Sequence, residues 1–348
     1  ILNMIAIVAS ILLFYLTAIY IRTEEELRIL VRILVITMAA CMFVALYELF
    51  FPGRVLVPHW ILNARARTFD EQGYRIGGPF YDFELFGEMM ALAFFLCFFF
   101  MRRAKTPNAR FFAMGLCITS IFCLLSTVTR GATLAFAGGV VYMTFLIRRR
   151  LKFRDLVSGA MAILVLWFGL EFVVANFTRS ASVMDRLLGT EFVGFIPDTR
   201  GAWPKIWAQV MEHPFIGHGP YYDLGKSETL TGQGLYATLW PHNLYLYLAH
   251  TVGFIGAAAY LFVALRLLFI SFRDKAISLQ EDSYPKSLMV VLHVMLLVFL
   301  VDQTKIEYLR NSTYQFFPWL LMGLIVATHR IIKEQEAAPR KAPAIRTD

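Results

Sequence analysis

Apolar blocks of about 17 to 25 residues recur along this chain, the length a helix needs to cross a ~30 Å hydrocarbon core. About nine can be marked, at roughly 3–21, 33–51, 85–101, 110–128, 132–147, 156–175, 243–270, 287–301 and 316–332. A soluble domain of 348 residues would carry more than 17% charged residues and fewer than 32 Phe. The fold class that follows is an all-α polytopic membrane protein.

The formal net charge is +8, but the basic residues gather at the ends of the apolar blocks. That is the pattern of membrane orientation and not of a nucleic-acid partner. Arg102, Arg103, Lys105 and Arg110 fall in one short loop, and Arg148, Arg149, Arg150, Lys152 and Arg154 in another. Short loops this basic are expected on the cytoplasmic side. By alternation Arg22, Arg28, Arg32, Arg266, Arg273, Lys275, Arg330 and Lys333 share that side. Residues 52–84, the hairpin at Thr129-Arg130-Gly131, the stretch 176–242 and residues 302–315 then share the outer side. All four cysteines (Cys41, Cys97, Cys117, Cys123) lie inside apolar blocks, so neither a disulfide framework nor a zinc site is indicated. The first residue is Ile1 and no basic stretch precedes the first block, which argues against a signal peptide and for earlier sequence.

Four regions are expected: spanning helices over 1–175 with an outer loop at 52–84, a large outer loop over 176–242, spanning helices over 243–332, and a disordered polar tail over 333–348. In the large loop, Trp203, Ile206, Trp207, Val210 and Met211 recur at helical spacing and predict a short amphipathic helix lying at the interface. Pro214 and the Gly217/Gly219 pair should end it.

Chemistry-bearing residues crowd the outer side. Arg130 sits in a short turn between two apolar blocks, where a guanidinium near lipid costs about a few kcal/mol unless it has an anionic partner. That partner is a headgroup phosphate, a carboxylate such as Glu88 or Glu171, or a substrate phosphate gripped by the guanidinium fork. His242 follows Pro241 at the mouth of a spanning block; it is either a capping or interfacial group or, with Arg130 and Arg200 on the same face, a general base. His213 and His218, flanked by Pro and Gly, read as turn residues; the pair lacks the company a metal site needs. Asp82, Glu84 and Glu88 form an acidic group that either favours the following helix's dipole or holds a cation on a diphosphate. Asp302, Lys305, Glu307 and Arg310 read as solvated pairs, with Lys305 available as a phosphate contact. Arginines that stabilise a leaving diphosphate, with a histidine that takes a hydroxyl proton, suit transfer of a sugar from a polyprenyl diphosphate.

At these residues the sequence resembles the O-antigen ligase and polymerase superfamily of bacterial inner membranes. The resemblance runs through Arg130-Gly131-Ala132-Thr133-Leu134, Thr199-Arg200-Gly201-Ala202-Trp203 with Trp207, and His213-Pro214-Phe215-Ile216-Gly217-His218-Gly219. It ends in His242-Asn243-Leu244-Tyr245-Leu246 and Gly253-Phe254-Ile255-Gly256, so it covers roughly 75–260. It implies a GT-C-like glycosyltransferase of the inner membrane with its active site facing the periplasm. Such an enzyme moves a glycan from undecaprenyl diphosphate to a hydroxyl of the lipid A-core, inverting, with no metal and no cofactor. Arg130 and Arg200 carry over as diphosphate contacts and His242 as base or acceptor-orienting group. Arg75 resembles a further superfamily arginine, although Tyr81-Asp82-Phe83 departs from the turn expected after it. Members commonly have about twelve spanning segments, each needing its own ~20-residue apolar run, which implies further segments before Ile1.

A polymerase of the same superfamily, joining lipid-linked repeats, differs only in its acceptor, and transfer onto protein is a third choice. From another class, a transporter or flippase of lipid-linked sugars should show ionisable residues and broken helices near the midplane; the polar residues here crowd one face.

Overall fold

The computed structural model describes residues 2–51, 56, 69–70, 73–74, 76–80, 82–147, 168, 203–219, 241–278 and 283–337. Among the described residues seven helices are long and apolar enough to cross a membrane: α2 (Glu24–Phe50), α3 (Phe83–Arg103), α4 (Pro107–Ser126), α5 (Arg130–Ile147), α7 (Leu244–Ser278), α8 (Tyr284–Asp302) and α9 (Phe316–Ala337). The apolar α1 (Leu2–Tyr20) precedes them, and the short α6 (Trp203–Glu212) lies between α5 and α7. The chain is an all-α polytopic membrane protein; its one sheet among the described residues is a two-residue rung, Phe69–Asp70 against Gly73–Tyr74. Apart from residue 168, the expected segment at 156–175 lies outside the described residues, as do most of 52–75 and all of 176–202 and 220–240.

Local chemistry sets the helix starts. Thr23 caps α2 in a reciprocal box with Glu26, each side chain accepting from the other's backbone N–H at 3.2 and 2.9 Å. Asp82 caps α3, Thr106 caps α4 with Pro107 behind it, and Ser283 caps α8 with Pro285 in its first turn. These caps explain why α2 begins at Glu24 rather than at 33: its first turns carry charge at the membrane edge but bury Leu27 and Val31.

The core is built on α3 and α8, the two most buried spans. Leu85, Met89, Leu92, Phe95 and Leu96 of α3 join Leu288, Leu292, Met295, Leu296 and Phe299 of α8 in one apolar cluster. A Cβ at Gly139 of α5 would stand 2.4 Å from Val298 and 2.8 Å from Phe95, so a small residue lets three helices meet. Within this interior His293 of α8 bridges Ser271 of α7 (2.9 Å) and Tyr142 of α5 (3.0 Å).

The two ends of the bundle differ. At one end Arg103 donates to Ser283 O (3.0 Å), Arg330 to Ile21 O (2.6 Å), Lys286 pairs with Glu336 (3.4 Å), and Arg28 stacks on Tyr284. There α9 continues to Ala337 and Gln335 donates to Glu24, so the first five residues of the tail expected to be disordered are helical. The other end gathers residues 82–84, 127–131, 241–243 and 302–315.

Candidate functional site

The connection from α8 to α9, residues 303–315, forms a corner on which the site is assembled. Gln303 accepts from Tyr308 N (3.1 Å) through its side-chain oxygen and donates to Glu88 Oε2 (2.6 Å) through its amide. Tyr314 OH donates to Glu88 Oε1 at 2.5 Å. A carboxylate inside α3 thus anchors the corner from beneath, its oxygens taken by groups 215 and 226 residues further along. Asn311 holds the exit, accepting from Thr313 N and Tyr314 N and donating to Phe80 O (3.2 Å).

Arg310 stands at the centre. Its Nη2 donates to Asp82 Oδ1 and to Glu84 Oε2, both at 2.7 Å; its Nη1 lies 3.2 Å from His242 Nδ1 and 3.6 Å from Glu307 Oε1. This is not the set of solvated pairs expected from the sequence. Asp302 and Glu307 are buried and the Arg310 side chain is only 14% exposed; Lys305 alone of the four faces solvent. Burial would depress the Arg310 pKa, but Asp82, Glu84 and Glu307 raise it above its ordinary value. Burial pushes the Glu307 carboxyl up to about 6, with Arg310 and His242 pulling the other way. The acidic residues 82 and 84 are neither simply dipole partners nor an open cation cradle: Asp82 caps α3, and both converge on a guanidinium where a cation would sit.

His242 is held from three directions. Leu244 N donates to Gln303 O and Ile306 O (2.9 and 3.1 Å), Asn243 Nδ2 donates to Thr304 O (3.2 Å), and Trp203 Nε1 donates to Pro241 O (2.7 Å). Asn243 Oδ1 accepts from Leu246 N, which opens α7. His242 itself adopts a left-handed backbone, φ 44°. Glu84 Oε2 lies 3.5 Å from its Nδ1. Burial lowers the His242 pKa and Arg310 does so too, but the hydrogen bond and charge of Glu84, joined by Glu307, outweigh them and raise it above 6.5.

Arg130 borders the same corner from the opposite side. It is the first residue of α5, exposed, and follows a turn in which Val128 takes φ 53°. Thr129 fastens that turn to α3 through Phe83 O (3.2 Å). A Cβ on Gly131 would meet Asp302 Oδ1 at 2.9 Å and Lys305 Cβ at 3.3 Å, so the first turn of α5, which Arg130 opens, packs against Asp302 and Lys305. Among the described residues Val128 and His242 are the two non-glycine residues with positive φ, and both flank this site. Such strain persists where the surroundings over-determine it.

Below the site, α7 is broken at Gly253 (φ 66°, ψ −179°). The turn His213–Gly219 is inserted there. His218 N and Gly219 N donate to His250 O and Thr251 O (2.9 and 2.8 Å), while Phe254 N and Ile255 N donate to Pro214 O and Phe215 O (2.7 and 3.4 Å). The backbone groups freed by the break are thereby satisfied within the protein, as a membrane interior demands. The rings of His218 and His250 stack at 4.6 Å. In α6, Ile206 and Val210 are buried and Trp203 partly so, but Trp207 and Met211 of the expected stripe are exposed.

Of the site residues expected from sequence, the structure therefore brings His242, Arg130 and Lys305 to one corner, whereas Arg200 and Arg75 lie outside the described residues. Sequence reasoning missed Arg310 as a centre, Glu84 as a histidine partner, His250 and the break at Gly253. The bundle interior is also less clean than expected, since Glu88, His250 and His293 are all buried.

A search against curated proteins gives no match. Residues 115–261, which include Arg130, Arg200, His242 and both halves of the broken-helix junction, match the profile of the O-antigen ligase family. Over that stretch, which is less than half of the chain, the protein is similar to the O-antigen ligase family.

Proposed function

We propose that this protein is an O-antigen ligase: it transfers a glycan from undecaprenyl diphosphate to a sugar hydroxyl of the lipid A-core at the periplasmic face of the inner membrane, with inversion and without a metal. The observation that carries this reading is the corner itself. Two exposed cations, Arg130 at the start of α5 and Lys305 on the corner, and a histidine with a carboxylate partner border it. The cations suit the departing diphosphate, with Arg200 as the second arginine and Arg75 as a further contact. The histidine suits the acceptor hydroxyl, whose proton moves to His242 as the acceptor oxygen bonds to the anomeric carbon. The carbon's bond to the diphosphate oxygen breaks as the new bond forms.

The broken α7 does not favour a transporter. Broken spans in transporters offer their free backbone groups to substrate, whereas here Pro214, Phe215, His218 and Gly219 occupy them. A polymerase would use the same residues on a different acceptor. The test is lipopolysaccharide from a deletion strain run on a gel. Core without long glycan, alongside accumulated lipid-linked polymer, is expected; core capped by a single repeat assigns a polymerase, and unchanged lipopolysaccharide refutes both.

A further inference from the structure

His242 Nδ1 faces two groups that ask opposite things of it. Arg310 Nη1, at 3.2 Å, can only donate, so it requires Nδ1 to accept; neutral His242 then carries its proton on Nε2 and cannot act there as a base. Glu84 Oε2, at 3.5 Å, can only accept when ionised, so it requires Nδ1 to donate; Nε2 is then free to take a proton. A second seat for Nη1 lies close by: Glu307 Oε1 is 3.6 Å away, and neither Glu307 oxygen makes a hydrogen bond among the described residues. Asp82 holds Nη2 at 2.7 Å and keeps the guanidinium tethered during such a turn.

We propose that Arg310 is a positioning residue that toggles between His242 and Glu307, and that Glu84 completes the active state by accepting the Nδ1 proton of His242. With Nη1 on His242 the base is off; with Nη1 on Glu307 it is on. In the on state Nε2 takes the acceptor's hydroxyl proton as the sugar transfers, leaving an imidazolium with Nδ1–H on Glu84, and the Nε2 proton then leaves to water. This rests on the assignment of His242 as base. The charged groups that bear on its titration are Glu84 and Asp82 before and within α3, and Glu307, Arg310 and exposed Lys305 on the corner. The raised pKa of His242 agrees with a carboxylate partner.

The test is ¹⁵N NMR of the histidine-labelled protein in detergent at alkaline pH, with His242 assigned by its loss in H242N, alongside steady-state transfer. Glu307→Gln weakens the second seat. The Nε2–H tautomer should then gain on the wild type, and kcat should fall about tenfold with the donor KM unchanged. Glu84→Gln should lower kcat on the order of 10²-fold and move the acidic limb of the pH profile down; a carboxylate with a merely structural role would leave that limb in place. An unchanged tautomer in E307Q, or an unmoved limb in E84Q, would overturn the toggle. Normal transfer by H242N would instead remove the base assignment, while the tautomer populations of wild type and E307Q would still report the toggle.

Discussion

Two regions at the same end of the bundle solve the same problem with different parts. At the corner, polar groups buried near the membrane are met by side chains: Arg310 hydrogen-bonds Asp82, Glu84 and His242, with Glu307 at ion-pair distance. At the break in α7 they are satisfied by main chain, four N–H groups meeting four carbonyls across Gly253. A network of ionisable side chains can change its protonation and partners, whereas an amide junction cannot titrate and must be kept whole. Substitutions in the two regions should therefore fail in different ways.

The largest effect is expected at the junction. Gly253 has a backbone conformation open essentially to glycine alone, and a Cβ there would sit 2.2 Å from Phe215 O. Gly253→Ala should cost more than about 3 kcal/mol and strip the turn from α7. Membrane-extracted protein should then lose its monodisperse peak at temperatures the parent survives. A variant of parental thermal stability would mean that turn and helix are not interlocked as described.

The converse is expected at the corner. His242→Ala should lower kcat about 10²–10⁴-fold while the protein remains folded in the membrane. Its backbone is held by Leu244, Asn243 and Trp203, none of which needs the imidazole. Equal loss of folded protein in His242→Ala and Gly253→Ala would erase the distinction between the regions.

The sequence made one of these regions far more legible than the other. The junction is written locally: His213-Pro214-Phe215-Ile216-Gly217-His218-Gly219 and Gly253-Phe254-Ile255-Gly256 both stood out, although nothing in either says that one enters the other. Spanning helices were legible because apolar length is a local property. Their ends were misjudged at Glu24, Ser278 and Ala337, where helix continues into polar sequence that hydropathy discards. The corner was legible only at its edges, where His242, Arg130 and Lys305 stood out, and not at its centre. Arg310 meets Asp82 across 228 residues, and in sequence it is one charge in a short loop, the usual mark of a solvated pair. The signal available was that Glu84, Glu88, Asp302, Glu307 and Arg310 fall on one face beside lipid, where unpaired charge is costly.

Titration separates the regions further. The folded pKa of His242 is raised, so its pairing contributes stability fully below its unfolded value near 6.5. That contribution is lost as pH rises through the folded value. A base must be neutral, so transfer should rise over the same interval. Rate and thermal stability should thus move in opposite directions as pH increases above about 6.5. Parallel curves would detach His242 from one of the two roles.

The smallest effect is expected where the regions join. Trp203 opens α6, which leads into the inserted turn, and its indole N–H reaches Pro241 O, the residue before the histidine. Trp203→Phe keeps most of the ring's packing and deletes one hydrogen bond, about 1 kcal/mol. The left-handed backbone of His242 would lose one of its restraints, while the junction at Gly253 would keep all four of its amide bonds. The variant should therefore lower kcat a fewfold with little change in melting, a small copy of the corner phenotype. A melting loss as large as that of Gly253→Ala would mean that the indole holds the inserted turn in place. The two regions would then be one structural unit, with Trp203 as its fastening.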